Sequence, residues 1–125
     1  MKRILFFGGR DYADRGRVFQ AVRAVFRKHG AFVLVHGACR GADSHAASAG
    51  ARIPFVVVEA HPANWRPSGK GGPIDHGAGP RRNAKMLALG VDGAVGFPGG
   101  TGTADMARRL RDAGVPIWWP AGGDK

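Results

Sequence analysis

Ile4-Leu5-Phe6-Phe7-Gly8-Gly9-Arg10-Asp11-Tyr12 decides the fold of this chain. Unbroken apolar residues run into a glycine pair, then into polar residues, and a helical pattern follows. A strand with apolar residues on both sides of its pleat is one covered on both faces, as in a parallel sheet. Glycines directly after such a strand allow a tight turn and a close approach of the backbone to a ligand.

The unit recurs along the sequence. Further apolar runs are Phe32 to Val35, Ile53 to Val58, Gly93 to Phe97 and Val115 to Trp119. Between the first two, Val18, Val22, Val25 and Phe26 have helical spacing over Arg17 to His29, and Gly30 supplies the stop. A last helix over roughly Thr103 to Ala113 has Met106, Leu110 and Ala113 inward and Arg108, Arg109 and Asp112 outward. Shorter helices fit Ala42 to Ala49 and Arg82 to Leu89. Strands alternating with helices predict an α/β fold, a Rossmann-like doubly wound parallel sheet of about five strands with helices on both faces. Residues 1-125 fit a single domain. The exception to the rhythm is a Gly/Pro-rich loop at 60-80, with Trp65 as a lid or an anchor.

Composition excludes some classes and leaves others open. The 125 residues carry 19 Lys and Arg against nine acids, a formal net charge of +10, and Glu59 is the lone glutamate. Such a balance suits anionic partners, yet Arg-rich, Ala- and Gly-rich composition also follows from a GC-rich genome. No stretch reaches the length of a membrane span. Met1-Lys2-Arg3 leads into an apolar run too short for a signal-peptide core. With Cys39 as the sole cysteine, no internal disulfide forms, and a cytoplasmic location is expected. His29, His36, His45, His61 and His76 show no metal-binding spacing, so neither metal nor cofactor is expected.

Three glycine-rich turns follow three of the strands: Gly8 to Tyr12, His36 to Asp43 and Pro98 to Thr103. At the carboxyl edge of an open α/β sheet, such turns and the helix N-termini after them are suited to phosphate. Neither a P-loop nor a full dinucleotide motif is present: no Gly-Lys-Ser/Thr occurs, and Asp105 stands where the third glycine of Gly100-Thr101-Gly102 would be. Candidate ligand residues are Gly8, Gly9, Arg10, Asp11, Gly37, Gly41, Asp43, Arg82, Asn83, Gly99, Gly100, Thr101, Gly102 and Thr103. Arg10 and Arg82 offer guanidinium forks to phosphate or ribose, with Arg81 an alternative to Arg82. Asp11 and Asp43 either accept ribose hydroxyls or cap helices, and Thr103 either bonds phosphate or caps. Tyr12 stacks or packs. Cys39 lacks a sequence-local base and reads as inert.

In order, GGRDY, HGACRGAD, GPRRN and FPGGTGTADM resemble the SLOG superfamily, and within it the YspA-like branch. The resemblance spans about Ile4 to Ile117 and implies strand order 3-2-1-4-5, a nucleotide-like small molecule as partner and a homodimer. Two relatives imply alternatives. LOG-type phosphoribohydrolases carry PGGxGTxxE and an Arg-Lys pair. Here Met106 stands at the Glu position and Asn83 at the Lys position, leaving Arg82 and the neighbouring Asp105 as catalytic candidates. DprA-type proteins share a GxR turn, a GAxGxD loop and an RN pair, and imply nucleic acid, specifically single-stranded DNA, with Trp65 beside Arg66 as the visible base-stacking candidate.

Overall fold

The computed structural model describes residues 1–122. The elements follow in the order β1 (Lys2–Phe7), α1 (Arg15–His29), β2 (Phe32–His36), α2 (Ala42–Gly50), β3 (Val56–Ala60), α3 (Ala78–Ala88), β4 (Gly93–Gly96), α4 (Thr101–Asp112) and β5 (Ile117–Trp118). The strands form one sheet of order β3-β2-β1-β4-β5, parallel throughout. This is the expected Rossmann-like α/β fold.

Alternation along β1 sorts its side chains between two cores. Ile4 and Phe6 join Val18, Val22, Phe32, Leu34 and Phe97 beneath α1 and α2. Leu5 and Phe7 join Val35, Met86, Met106 and Leu110 beneath α3 and α4. Phe6 and Leu5 are wholly buried, and burying side chains of this size contributes roughly 1.5–3 kcal/mol each. Two-sided burial fails at the edge: Val57 is 53% exposed, because the core under α3 and α4 includes no residue of β3.

Boundaries differ from the sequence expectation for local reasons. α1 starts at Arg15 because the Asp14 carboxylate accepts from the Arg17 N–H at 3.1 Å, a side-chain cap. α3 starts at Ala78, four residues before the expected Arg82. Pro80 thus lies in its first turn, where the missing N–H costs nothing. The connection after β3 shortens to residues 61–77. β3 starts at Val56, since Arg52 to Val56 make turn bonds (Ile53 N–H to Gly50 O, Val56 N–H to Ile53 O). Ala113 is an exposed C-cap rather than an inner residue, and Ala107 fills the buried place.

Candidate functional site

β1 has β2 on one side and β4 on the other, and the chain leaves these strands for opposite faces of the sheet. That divergence opens a crevice at their carboxyl ends. Its two turns touch backbone to backbone. The Gly9 N–H donates to Pro98 O at 3.0 Å, and a Cβ on Gly99 would lie 2.6 Å from the Gly9 nitrogen. The third turn hangs on the first: the Ala42 N–H donates to Gly9 O at 3.2 Å. Gly41, at φ 77°, presses on the Gly9 and Arg10 carbonyls, where a side chain has no room. Gly41 and Gly99 therefore hold the turns together and do not line the space between them.

That space is a cleft of ≈ 520 Å³. It is lined by Gly8, Gly9, Arg10, Asp11, Gly37, Asp43, Trp65, Arg82, Asn83, Gly100, Thr101, Gly102, Thr103 and Asp105 among the residues singled out from the sequence. The N-terminus of α4 enters it without a side-chain cap. The first helical bond runs from the Ala104 N–H to Gly100 O at 3.0 Å. The amides of Thr101, Gly102 and Thr103 precede that bond and have no intrahelical acceptor, and the helix dipole adds partial positive charge there. Thr103 sits inside this first turn, so it is not the cap. In the other two turns the Gly9 amide is spent on Pro98 and the Gly37 amide on Asp43 at 2.8 Å.

Arg82 reaches across the cleft as a clamp. Its Nη1 donates to the carbonyl of Gly37 and to that of His61 at 3.2 Å, tying the turn after β2 to the chain after β3. Nε donates to Asn83 Oδ1 at 3.0 Å, and Nη2 lies 3.8 Å from Cys39 Sγ. Arg81 instead pairs with Asp75, outside the cleft. Asn83, 4% exposed, donates to Asp105 Oδ2 at 3.0 Å. Arg108 and Arg109 donate to the same carboxylate at 2.7 and 2.9 Å, so Arg109 folds inward rather than outward. Burial pushes the Asp105 carboxyl up, but the hydrogen bonds from Asn83, Arg109 and Arg108 and the Arg109 charge outweigh it, and its pKa is lowered.

Asp43 is 5% exposed and accepts from the Gly37 amide, with the Cys39 amide as a second donor. Burial raises its pKa to about 6, against those two amides and the charges of Arg82 and Arg10. Behind the turn, His36 Nδ1 accepts from the Ala38 N–H at 2.9 Å. Burial lowers the His36 pKa, as do His61 and Arg82. Ala38 adopts φ 57°, a left-handed conformation that side chains disfavour. The turn after β2 is thus held in one shape by an acid beneath it and a histidine behind it.

The family described as YspA, cpYpsA-related SLOG (YAcAr) matches residues 2–67, more than half of the chain. The chain belongs to this family. Its fold is similar to that of TM1055, solved by X-ray crystallography as a structural-genomics target, with 17% identity, a TM-score of 0.69 and coverage of 94% of this chain and 72% of that one. It is also similar to DNA processing protein A from Helicobacter pylori, whose structure is described for its single-stranded DNA binding mode. There the identity is 15%, the TM-score 0.68 and the coverage 93% and 63%, so this chain spans less than two thirds of that protein's length. At such identities the likeness is one of fold. A search of curated proteins gives no match.

In this YspA-related SLOG chain several residues serve differently from the sequence reading. Asp11 is 94% exposed on its side chain, faces Arg40 at 3.5 Å, and leaves helix capping to Asp14. Tyr12 packs on Phe97, ring centroids 5.2 Å apart, and does not line the cleft. Trp65 is both cover and anchor: the Arg10 guanidinium lies 4.9 Å from its ring centre, and its edge would meet a Cβ on Gly79 at 2.9 Å. Cys39 lines the cleft, as does His76, which no sequence signal had marked. Equally unmarked is the group in which Glu59 accepts from Arg3 at 2.8 and 2.7 Å and lies 2.6 Å from His61 Nε2. Among the described residues no cluster of His, Cys, Asp and Glu is placed to hold a metal, and no helix is long and apolar enough to cross a membrane.

Proposed function

We propose that this chain acts as one unit that binds or senses a nucleotide or nucleotide-derived phosphate ligand in the cleft between β1 and β4. One observation carries the reading: the uncapped amides of Thr101, Gly102 and Thr103 open into a cleft that also holds the Arg10 and Arg82 guanidiniums. An anion there completes bonds that the fold leaves unmade. Arg82 spends most of its donors on the protein, which leaves Arg10 as the cation able to turn from Trp65 toward a phosphate. A cytoplasmic setting fits the lone free thiol of Cys39.

The reading includes no glycosidic hydrolysis. Met106 is 2% exposed and carries no proton-transferring group. Asp105, the nearest carboxyl, accepts from three donors and is held in its ionised form. A general acid needs a proton to give near neutral pH.

Thermal unfolding with a panel of nucleotides, matched against the same nucleosides without phosphate, tests the proposal. Ligand at 100 times its Kd stabilises by about 2.7 kcal/mol, a visible rise in Tm. Arg10→Ala should keep the unliganded Tm and lose most of the rise. Equal shifts with nucleosides, or none with any nucleotide, refute phosphate binding. Release of free base from nucleoside monophosphates would restore the hydrolase.

A further inference from the structure

From Arg15 to Phe55 the sequence has seven Lys and Arg and one acid, Asp43, which is buried beneath the cleft. The outer side of α1 and the turn before β3 therefore supply cations and no exposed carboxylate of their own, the exposed acid at the edge being Asp14, which caps α1. Arg15, Arg23 and Arg27 recur along one flank of α1 and are exposed, spanning ~18 Å at the helical rise. Arg52, after α2, joins them. Its guanidinium lies 5.1 Å from the Phe19 ring centre, and that of Arg15 lies 4.8 Å from the same ring. Two guanidiniums are thus held over one ring.

An aromatic surface adjoins this stripe. Phe55 is 65% exposed. Phe26 stacks behind it, ring centroids 6.5 Å apart and planes within 3°. A flat ring backed by a second ring, beside Arg23 and Arg27 on the same helix flank as Phe26, is a platform open on one side. The Trp65 ring, by contrast, is covered by Arg10.

We infer that the α1 flank with Phe55 binds single-stranded nucleic acid, its phosphates along Arg15, Arg23, Arg27 and Arg52 and a base on the Phe55 ring. Guanidiniums suit phosphate oxygens, and a base can lie on an exposed ring only where it is not stacked in a duplex. A second copy of this chain does not fit, since symmetric pairing across this face sets its cations against themselves. The surface is separate from the cleft and does not depend on what the cleft holds.

Fluorescence anisotropy of a labelled oligothymidylate over a salt series tests this. Binding should weaken linearly in log K against log salt, and a duplex should compete poorly. Phe55→Ala should weaken binding on the order of 10-fold with the salt slope unchanged. Arg23→Gln with Arg27→Gln should lower the slope by roughly 1.4, about 0.7 for each lost phosphate contact. Arg10→Ala should change nothing. All these positions are exposed, and Tm reports that each variant remains folded. The inference is overturned by any one of four results: no binding at low salt, equal affinity for duplex, an unchanged Phe55→Ala, or loss in Arg10→Ala. Retention on anionic vesicles without retention of oligonucleotide likewise overturns it in favour of a membrane surface.

Discussion

Replacing Asp43 by Asn separates the charge of a buried acid from its shape. The carboxyl titrates at about 6 in the folded chain against 3.8 for the free side chain. That difference of about two units corresponds to roughly 3 kcal/mol. Between about pH 4 and pH 6 the folded state keeps a proton that the unfolded state has released. The stability contributed by Asp43 is therefore full below about pH 4 and lost as the pH rises through about 6. His36 works in the opposite sense, because its lowered pKa costs stability as the pH falls below 6.5. Urea unfolding of both proteins from pH 4 to pH 7.5 cancels His36 when the two curves are subtracted. An Asn amide set against the Cys39 N–H adds an offset, but that offset does not vary with pH. The variant should gain on the native chain by roughly 3 kcal/mol across the range, nearly all of it by pH 7. Parallel curves would refute the dominance of burial. A variant that instead loses ground with rising pH would show that Arg82, Arg10 and the two amides hold the carboxyl below its free value.

Two further outcomes follow from contacts already described. Gly99→Ala drives a Cβ against the Gly9 nitrogen and Thr103 Oγ1, and overpacking of this kind costs about 1–3 kcal/mol. Gly102→Ala, inside α4, meets nothing within 4 Å and should leave stability equal or raise it by up to about 1 kcal/mol, so urea midpoints should separate the two substitutions. Glu59 is held at about 2 by the Arg3 hydrogen bonds first and the His61 bond second. Its contribution is present above pH 4.5 and lost as the pH falls through 2. Acid unfolding of Glu59→Gln should accordingly be less steep below pH 4.5 than that of the native chain, by a modest amount because the pair is partly in water.

What could be read from the sequence was what depends on neighbours in the chain. β1, β2 and β4 announced themselves by unbroken apolar runs, and α1 by the spacing of Val18, Val22 and Val25. The start of α3 was hidden, since Gly77, Gly79 and Pro80 read as loop although Pro80 is harmless in a first turn. At the site, the turns were legible but the use of their amides was not. Whether Gly9 or Thr101 keeps a free N–H depends on Pro98 and on the absence of a cap at Gly100, facts of three-dimensional pairing. Arg82 was marked as a ligand contact, yet its partners, Gly37 and His61, lie 45 and 21 residues away. Phe55 carried no periodic signal, because its meaning comes from Phe26 on another element.

The central strand has consequences for synthesis. β1 finds β2 early, with Lys2 opposite Phe32, but its other flank stays bare until Gly93 arrives opposite Ile4. A chain growing from a ribosome can thus complete the layer of α1 and α2 while the cleft still lacks one wall. A ligand held as proposed by the amides of Thr101 to Thr103 could not template the first half of the molecule, since α4 is made last among the helices. Truncations ending before Gly93 should expose the flank of β1 that Gly93 to Gly96 cover, and aggregate through that unpaired strand rather than through any missing ligand contact.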